Sequence, residues 1–122
     1  MKPKFYVPIL LLANLCFASM AWATVQVPPR MKDVPIYENA TIVQAMEAEE
    51  FAQIVYAVST EIKKVIKWYK DIMLKKGWKV VMEMNMENNS VLNLAKDNLT
   101  LVVNTSVDQK GKTTVHLVLQ DK

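Results

Sequence analysis

Residues 59–87 read STEIKKVIKWYKDIMLKKGWKVVMEMNME, and within them the apolar period changes from helical to extended. Ile62, Val65, Ile66, Tyr69, Ile72 and Met73 recur at three- and four-residue intervals, which predicts a helix over 60–76 with one apolar stripe. Ser59 stands where an N-cap belongs and Glu61 adds negative charge to the first turn. Lys75 and Lys76 suit the negative end of the macrodipole, and Gly77 supplies the left-handed residue that ends a helix. Past Gly77 the period becomes two: Trp78, Val80, Met82, Met84 and Met86 alternate with Lys79, Glu83, Asn85 and Glu87. That pattern predicts a half-buried strand with its methionines turned toward the helix.

On the N-terminal side, 41–48 and 51–58 are rich in β-branched and aromatic residues and are joined by Glu49-Glu50, a hairpin pattern. On the C-terminal side, Asn88-Asn89 marks a turn, 91–95 a short strand, Asp97-Asn98 another turn and 99–107 a longer strand. Residues 108–112, with Gly111, turn the chain into a last strand over 113–120. One helix with one apolar stripe needs a sheet face to cover it. Trp78, Val80, Met82, Leu92, Leu94, Leu99, Leu101, Val103, Val115, Leu117 and Leu119 provide that face. The fold class is therefore α+β, one helix packed on a single antiparallel sheet in the order β-β-α-β-β-β-β.

The first 23 residues read as a signal peptide. Lys2 and Lys4 precede the apolar run 7–17, and Ala21-Trp22-Ala23 supplies the small residues of a cleavage site. The mature chain is expected to begin at Thr24, in the periplasm or outside the cell. The apolar run is shorter than the ~20 residues of a spanning helix and is interrupted by Asn14, so no stable membrane insertion is expected after cleavage. Cys16, the one cysteine, follows Leu15, where a lipoprotein signal would carry a small residue; the mature form is read as soluble and free of disulfides.

Removing Lys2 and Lys4 lowers 15 basic residues to 13 against 12 acidic ones, a balance of +1. A near-neutral domain lacks the broad positive field that non-specific nucleic-acid binding requires, so nucleic acid is not an expected partner. What remains is an extended lead-in over 24–40, set by Pro28, Pro29 and Pro35, followed by a single domain over 41–122.

Three phrases together carry a family resemblance: Val34-Pro35-Ile36-Tyr37-Glu38-Asn39-Ala40, Val65-Ile66-Lys67-Trp68-Tyr69-Lys70, and Lys76-Gly77-Trp78-Lys79-Val80. They resemble a group of small exported bacterial envelope domains without an assigned activity, in which a Pro-x-Tyr-Pro-Gly-Ala phrase leads into the first strand. Here Glu38-Asn39 stands in place of the Pro-Gly. A looser likeness extends to helix-on-sheet domains in lipoproteins of outer-membrane assembly machinery. The resemblance implies a binding or scaffolding role and brings no catalytic residue to this chain.

The chemistry-bearing candidates are few. Met82, Met84 and Met86 offer three thioethers of the kind that select copper(I) or silver(I), at about 7 Å between neighbours on a strand; gap-filling in the core is the plainer reading of the same stripe. His116 is the one histidine, has the opposite parity to Val115 and Leu117, and lacks a nearby Cys, Ser or Asp motif, so it is placed on the solvent-facing side and no catalysis or cofactor is expected. Trp68 lies off the apolar stripe and reads either as an interface anchor or as a residue covered by the lead-in. Val81, Val91, Asn93, Ala95, Thr100, Val102, Asn104, Thr114, His116 and Val118 form the far side of the sheet. That mixed valine, threonine and asparagine face suits dimerisation or peptide binding. The leading expectation is an exported binding or scaffolding domain meeting an envelope protein, or a second copy, through Trp68, Val102, His116 or Val118. The alternative is a soft-metal binding protein.

Overall fold

The computed structural model describes residues 27–121. The leader expected over residues 1–23, with Cys16, lies outside the described residues. Strands β1 (Thr41–Glu47) and β2 (Phe51–Val58) precede the single helix α1 (Ile62–Lys75), and β3 (Lys79–Asn85), β4 (Asn89–Lys96), β5 (Leu99–Val107) and β6 (Thr113–Asp121) follow it. All pairings are antiparallel, in the spatial order β1-β2-β6-β5-β4-β3. The expected α+β class and element order are those observed. β6 returns along β2, so the hairpin before the helix and the three hairpins after it form one sheet.

α1 lays Ile62, Val65, Ile66, Tyr69 and Met73 on the inner face of the sheet. Ala52, Ile54, Tyr56 and Val58 of β2, Leu92 and Leu94 of β4, Leu101 and Val103 of β5, and Val115, Leu117 and Leu119 of β6 meet them there. The helix is shorter than expected. Glu61, not Ser59, is the N-cap residue, and it makes no side-chain cap bond. Gly77 ends the helix with φ +94°, as its place in the sequence requires, and Trp78 N–H returns to the Met73 carbonyl at 3.0 Å.

The lead-in is not simply extended. Pro29–Met31 form one 3-10 turn that buries Met31, and Val34 is buried a few residues later. Asn39 has φ +60°, the backbone state that a glycine takes most readily and that asparagine tolerates. Asn39 thereby turns the lead-in toward β1. Arg30 fastens the lead-in to the far end of the sheet, donating to the Glu49 carbonyl and pairing with Asp121 at 2.5 Å.

β3 departs from the expected pattern. Its register on β4 shifts between Val80 and Met82, so Val81 is an extra residue on the edge strand. Val80 lies opposite Leu94 on the inner face, but Met82 and Met84 lie opposite Asn93 and Val91 on the outer face, while Glu83 and Asn85 take the inner positions. Val80, exposed at the sheet edge, and Met82, turned outward, are not core residues, and Met82 and Met84 do not face the helix; Met82, Met84 and Met86 are 41%, 46% and 54% exposed. Glu83, turned inward at the sheet edge, pairs with Lys70 of α1 at 2.5 Å. β1, the opposite edge, has a matching shift between Ile42 and Gln44 that leaves Val43 61% exposed. Bulges on both edge strands interrupt the rows of unpaired backbone groups that would otherwise recruit further strands.

Candidate functional site

The inner side of the sheet is filled by the protein's own side chains. Tyr56, Tyr69, Ile54, Met73, Leu92, Leu101 and Leu117 are fully buried between the helix and the strands. Tyr69 donates its hydroxyl proton to the Pro35 carbonyl at 2.8 Å. Its oxygen must then accept from the adjoining Tyr56 hydroxyl. Tyr37 N–H reaches the Tyr56 oxygen at 3.4 Å, so the relay clasps the lead-in to the core. Burial pushes the Tyr56 phenol up to about 12 and raises that of Tyr69 further. These are structural hydroxyls held neutral. A groove of about 230 Å³ between α1 and β3 is lined by Ile62, Ile66, Lys70, Glu83 and Met86 among others.

Trp68 lies on the helix side, half-buried, with its ring edge-on to Tyr37 and Tyr69 at 4.9 Å from each. The lead-in covers it, so it is not part of the outer sheet face that carries the other interaction candidates. The lysines around it are partly engaged: Lys67 pairs with Asp71 at 2.8 Å, Lys70 with Glu83, and Lys76 donates to the Asp33 carbonyl.

The outer face is built by register. One row crosses all six strands as Met46, Gln53, Val118, Val102, Asn93 and Met82. The next crosses as Gln44, Val55, His116, Asn104, Val91 and Met84. Thr41, Ala57, Thr114, Ser106 and Asn89 flank them on one side, and Phe51, Gln120, Thr100, Ala95 and Lys79 on the other. Lys79, at a corner, is the one charged side chain in these four rows. No described element lies over this face. Charge is concentrated on the opposite side, along α1.

Three of the four expected interaction residues, Val102, His116 and Val118, thus come together in the centre of one surface. Sequence reasoning missed Gln53, Val55, Met46, Met82 and Met84 there; the alternation within β2 was legible, but its partner strand was not. His116 is half-buried and its Nε2 lies 3.0 Å from Gln53 Oε1; because an amide oxygen only accepts, the ring nitrogen donates. The partner of His116 is an amide, not a carboxylate. Asn93 Oδ1 is buried and has no hydrogen-bond donor among the described residues. Among the described residues no three His, Cys, Asp or Glu side chains are grouped to hold a metal ion, and no helix is long and apolar enough to cross a membrane.

A family model described as START domain-like matches residues 41–116, from the start of β1 into β6 and more than half of the chain. The chain belongs to the START domain-like family. No curated protein matches it. The matched span holds the whole helix and five complete strands of this START domain-like domain, together with both central rows of the outer face except Val118. The lead-in and the end of β6 lie outside it.

Proposed function

We propose that this START domain-like chain is an exported binding domain of the bacterial envelope whose binding surface is the outer face of its sheet, and that it performs no catalysis. The observation that carries the proposal is the face itself: two rows spanning six strands, without a charge, left uncovered by the described residues while the charges gather on α1. A sheet side that only met water would have no reason to exclude charge, since Lys and Glu keep such surfaces soluble. Membership in a START domain-like family agrees with ligand binding as a class of activity. The leader pattern at residues 1–23 supports export.

The test is site-specific photo-crosslinking in the intact envelope. A crosslinker at Val102 or Val118 should give one reproducible adduct, and one at Lys64 on α1 should give none. Adducts from Lys64 with none from Val102 or Val118 would refute the choice of surface.

The bulge at Val81 favours a second reading. With Met82 and Met84 exposed on one face, core packing no longer accounts for them, and soft-metal binding by Met82 and Met84, without Met86, which lines the α1–β3 groove, becomes the competing use of that edge. Methyl shifts of Met82 and Met84 on copper(I) addition would support it. A titration that leaves them unmoved would remove it.

A further inference from the structure

We infer that the occupant of the outer face is a second copy of this chain, packed sheet to sheet about a two-fold axis that runs parallel to the strands between β5 and β6. The inference rests on the reading of that face as the binding surface. Such an axis lays β1 of one copy over β3 of the other, β2 over β4, and β6 over β5. The first central row reads Met46, Gln53, Val118, Val102, Asn93, Met82, which is methionine, amide, valine, valine, amide, methionine. Reversed, the row has the same chemistry, so methionine meets methionine, amide meets amide and valine meets valine. An isologous interface requires this self-complementarity. In the second row Val55 meets Val91 of the second copy, and His116 meets its Asn104.

Polar groups match as well. His116 occupies the Gln53 oxygen, which leaves the Gln53 NH2 group to donate. Facing it in the second copy is Asn93, whose buried Oδ1 has no donor among the described residues of its own chain. A buried acceptor without a donor is destabilising, and half a turn of the Asn93 amide about its own bond would bring Oδ1 outward to the Gln53 NH2 of the second copy, once on each side of the axis. Aligned sheets cross at about 30°, which moves the pairs nearest the axis by only a few ångströms.

The area is sufficient. Six strands about 4.8 Å apart span roughly 29 Å, and four rows about 7 Å apart span roughly 20 Å or more, on the order of 600 Å² in projection for each copy. Interdigitated side chains bury more than their projection, which brings the contact near the ~800 Å² per partner of standard stable interfaces. Absence of like charges removes the repulsion that opposes self-association.

Sedimentation equilibrium of the protein purified from cells expressing the full chain should show a dimer across a concentration series. Val102→Lys alone and Val118→Glu alone should each raise the dimer dissociation constant at least about tenfold. Mixed together they should form heterodimers, because the axis places the introduced lysine over the introduced glutamate. Gln53→Cys/Asn93→Cys gives a second readout. Three strand spacings, about 14 Å, separate the two positions within one chain, whereas stacked sheets bring them to about 10 Å between copies; both exceed the reach of a disulfide, so a short bifunctional thiol crosslinker that spans only the smaller gap should yield covalent dimers. A monomer at every concentration overturns the inference. If Val102 in that monomer still crosslinks to another envelope protein or to its own N-terminal segment, the surface stands and the second copy falls. A dimer untouched by both substitutions and not captured by the cysteine pair places the contact elsewhere, and overturns the inference too.

Discussion

Tyr69→Phe should cost the fold more than Tyr56→Phe, although the two hydroxyls touch each other and both rings are fully buried. Tyr69 both accepts from Tyr56 and donates to the Pro35 carbonyl at 2.8 Å. Removing its hydroxyl deletes a bond worth about 1 kcal/mol and strands the buried Tyr56 proton at about 1–3 kcal/mol, for a total of about 2–4 kcal/mol. Removing the Tyr56 hydroxyl deletes the shared bond and the long 3.4 Å contact from Tyr37 N–H, but leaves Tyr69 still donating to Pro35 and strands no hydroxyl proton, a loss of about 1–2 kcal/mol. Urea unfolding of the two single variants and the double variant measures these differences, and the double should cost less than the sum because Tyr69→Phe has already broken the shared bond. Alkali probes the same relay. Burial holds the Tyr56 phenol at about 12 and Tyr69 above that. In the unfolded chain both titrate near 10. A folded value above the unfolded one means a contribution complete below pH ~10 and lost as pH rises toward 12, at up to about 1.4 kcal/mol per pH unit for each tyrosine. The double variant should show a flatter profile there. Equal costs for the two single variants, or no difference in alkaline stability, would refute the relay.

Gly77→Ala should destabilise the domain by about 1 kcal/mol through backbone strain at φ +94°, because a Cβ would meet only the Lys96 side chain at an ordinary 3.6 Å; Gly77→Asn should cost less, as thermal unfolding would record. Lys70→Ala should lower stability by well under about 1 kcal/mol, and added salt should shrink the difference, since the Lys70–Glu83 pair is partly exposed. Hydrogen bonds from Lys70 and then Asn85 hold the Glu83 carboxyl below the usual carboxylate range, so the pair contributes above the ordinary glutamate value and is lost as pH falls through the depressed one. N-terminal mass spectrometry of the exported protein should find Thr24 as the first residue; an intact leader would refute the processing read from residues 1–23.

Most of the fold was legible because the signals that set it are local. The helical stripe from Ile62 to Met73, the stop at Gly77 and the alternation in residues 99–107 and 113–120 each follow from a few neighbours in sequence. What escaped was a single inserted residue. A bulge at Val81 changes which face every later β3 side chain takes, and nothing in the Val80-Val81 pair announces it. On an edge strand that the helix barely covers, methionine costs little on either face, so the apolar pattern did not constrain the register. Glu83 carried the better signal, since an inward carboxylate finds Lys70 on α1. The surface was legible in halves. Val102, His116 and Val118 were placed together by their parity, but the rows that join them to Gln53 and Met46 depend on β2 pairing with β6, a contact between residues more than fifty positions apart. Trp68 was open to two readings because sequence shows its angular position on α1 but not that Tyr37 folds over it.

Coverage of the outer face in the cell can be read from oxidation of its own methionines. Met46, Met82 and Met84 stand on that face, whereas Met86 lies beyond the end of β3 beside the α1–β3 groove. Mild peroxide treatment of intact cells and of dilute purified protein, followed by mass spectrometry, gives the oxidation of the three relative to Met86 in each setting. An occupied binding face predicts that the ratio falls in the cell. The same ratio in both settings would mean that the face is bare where the protein works, and would contradict the account.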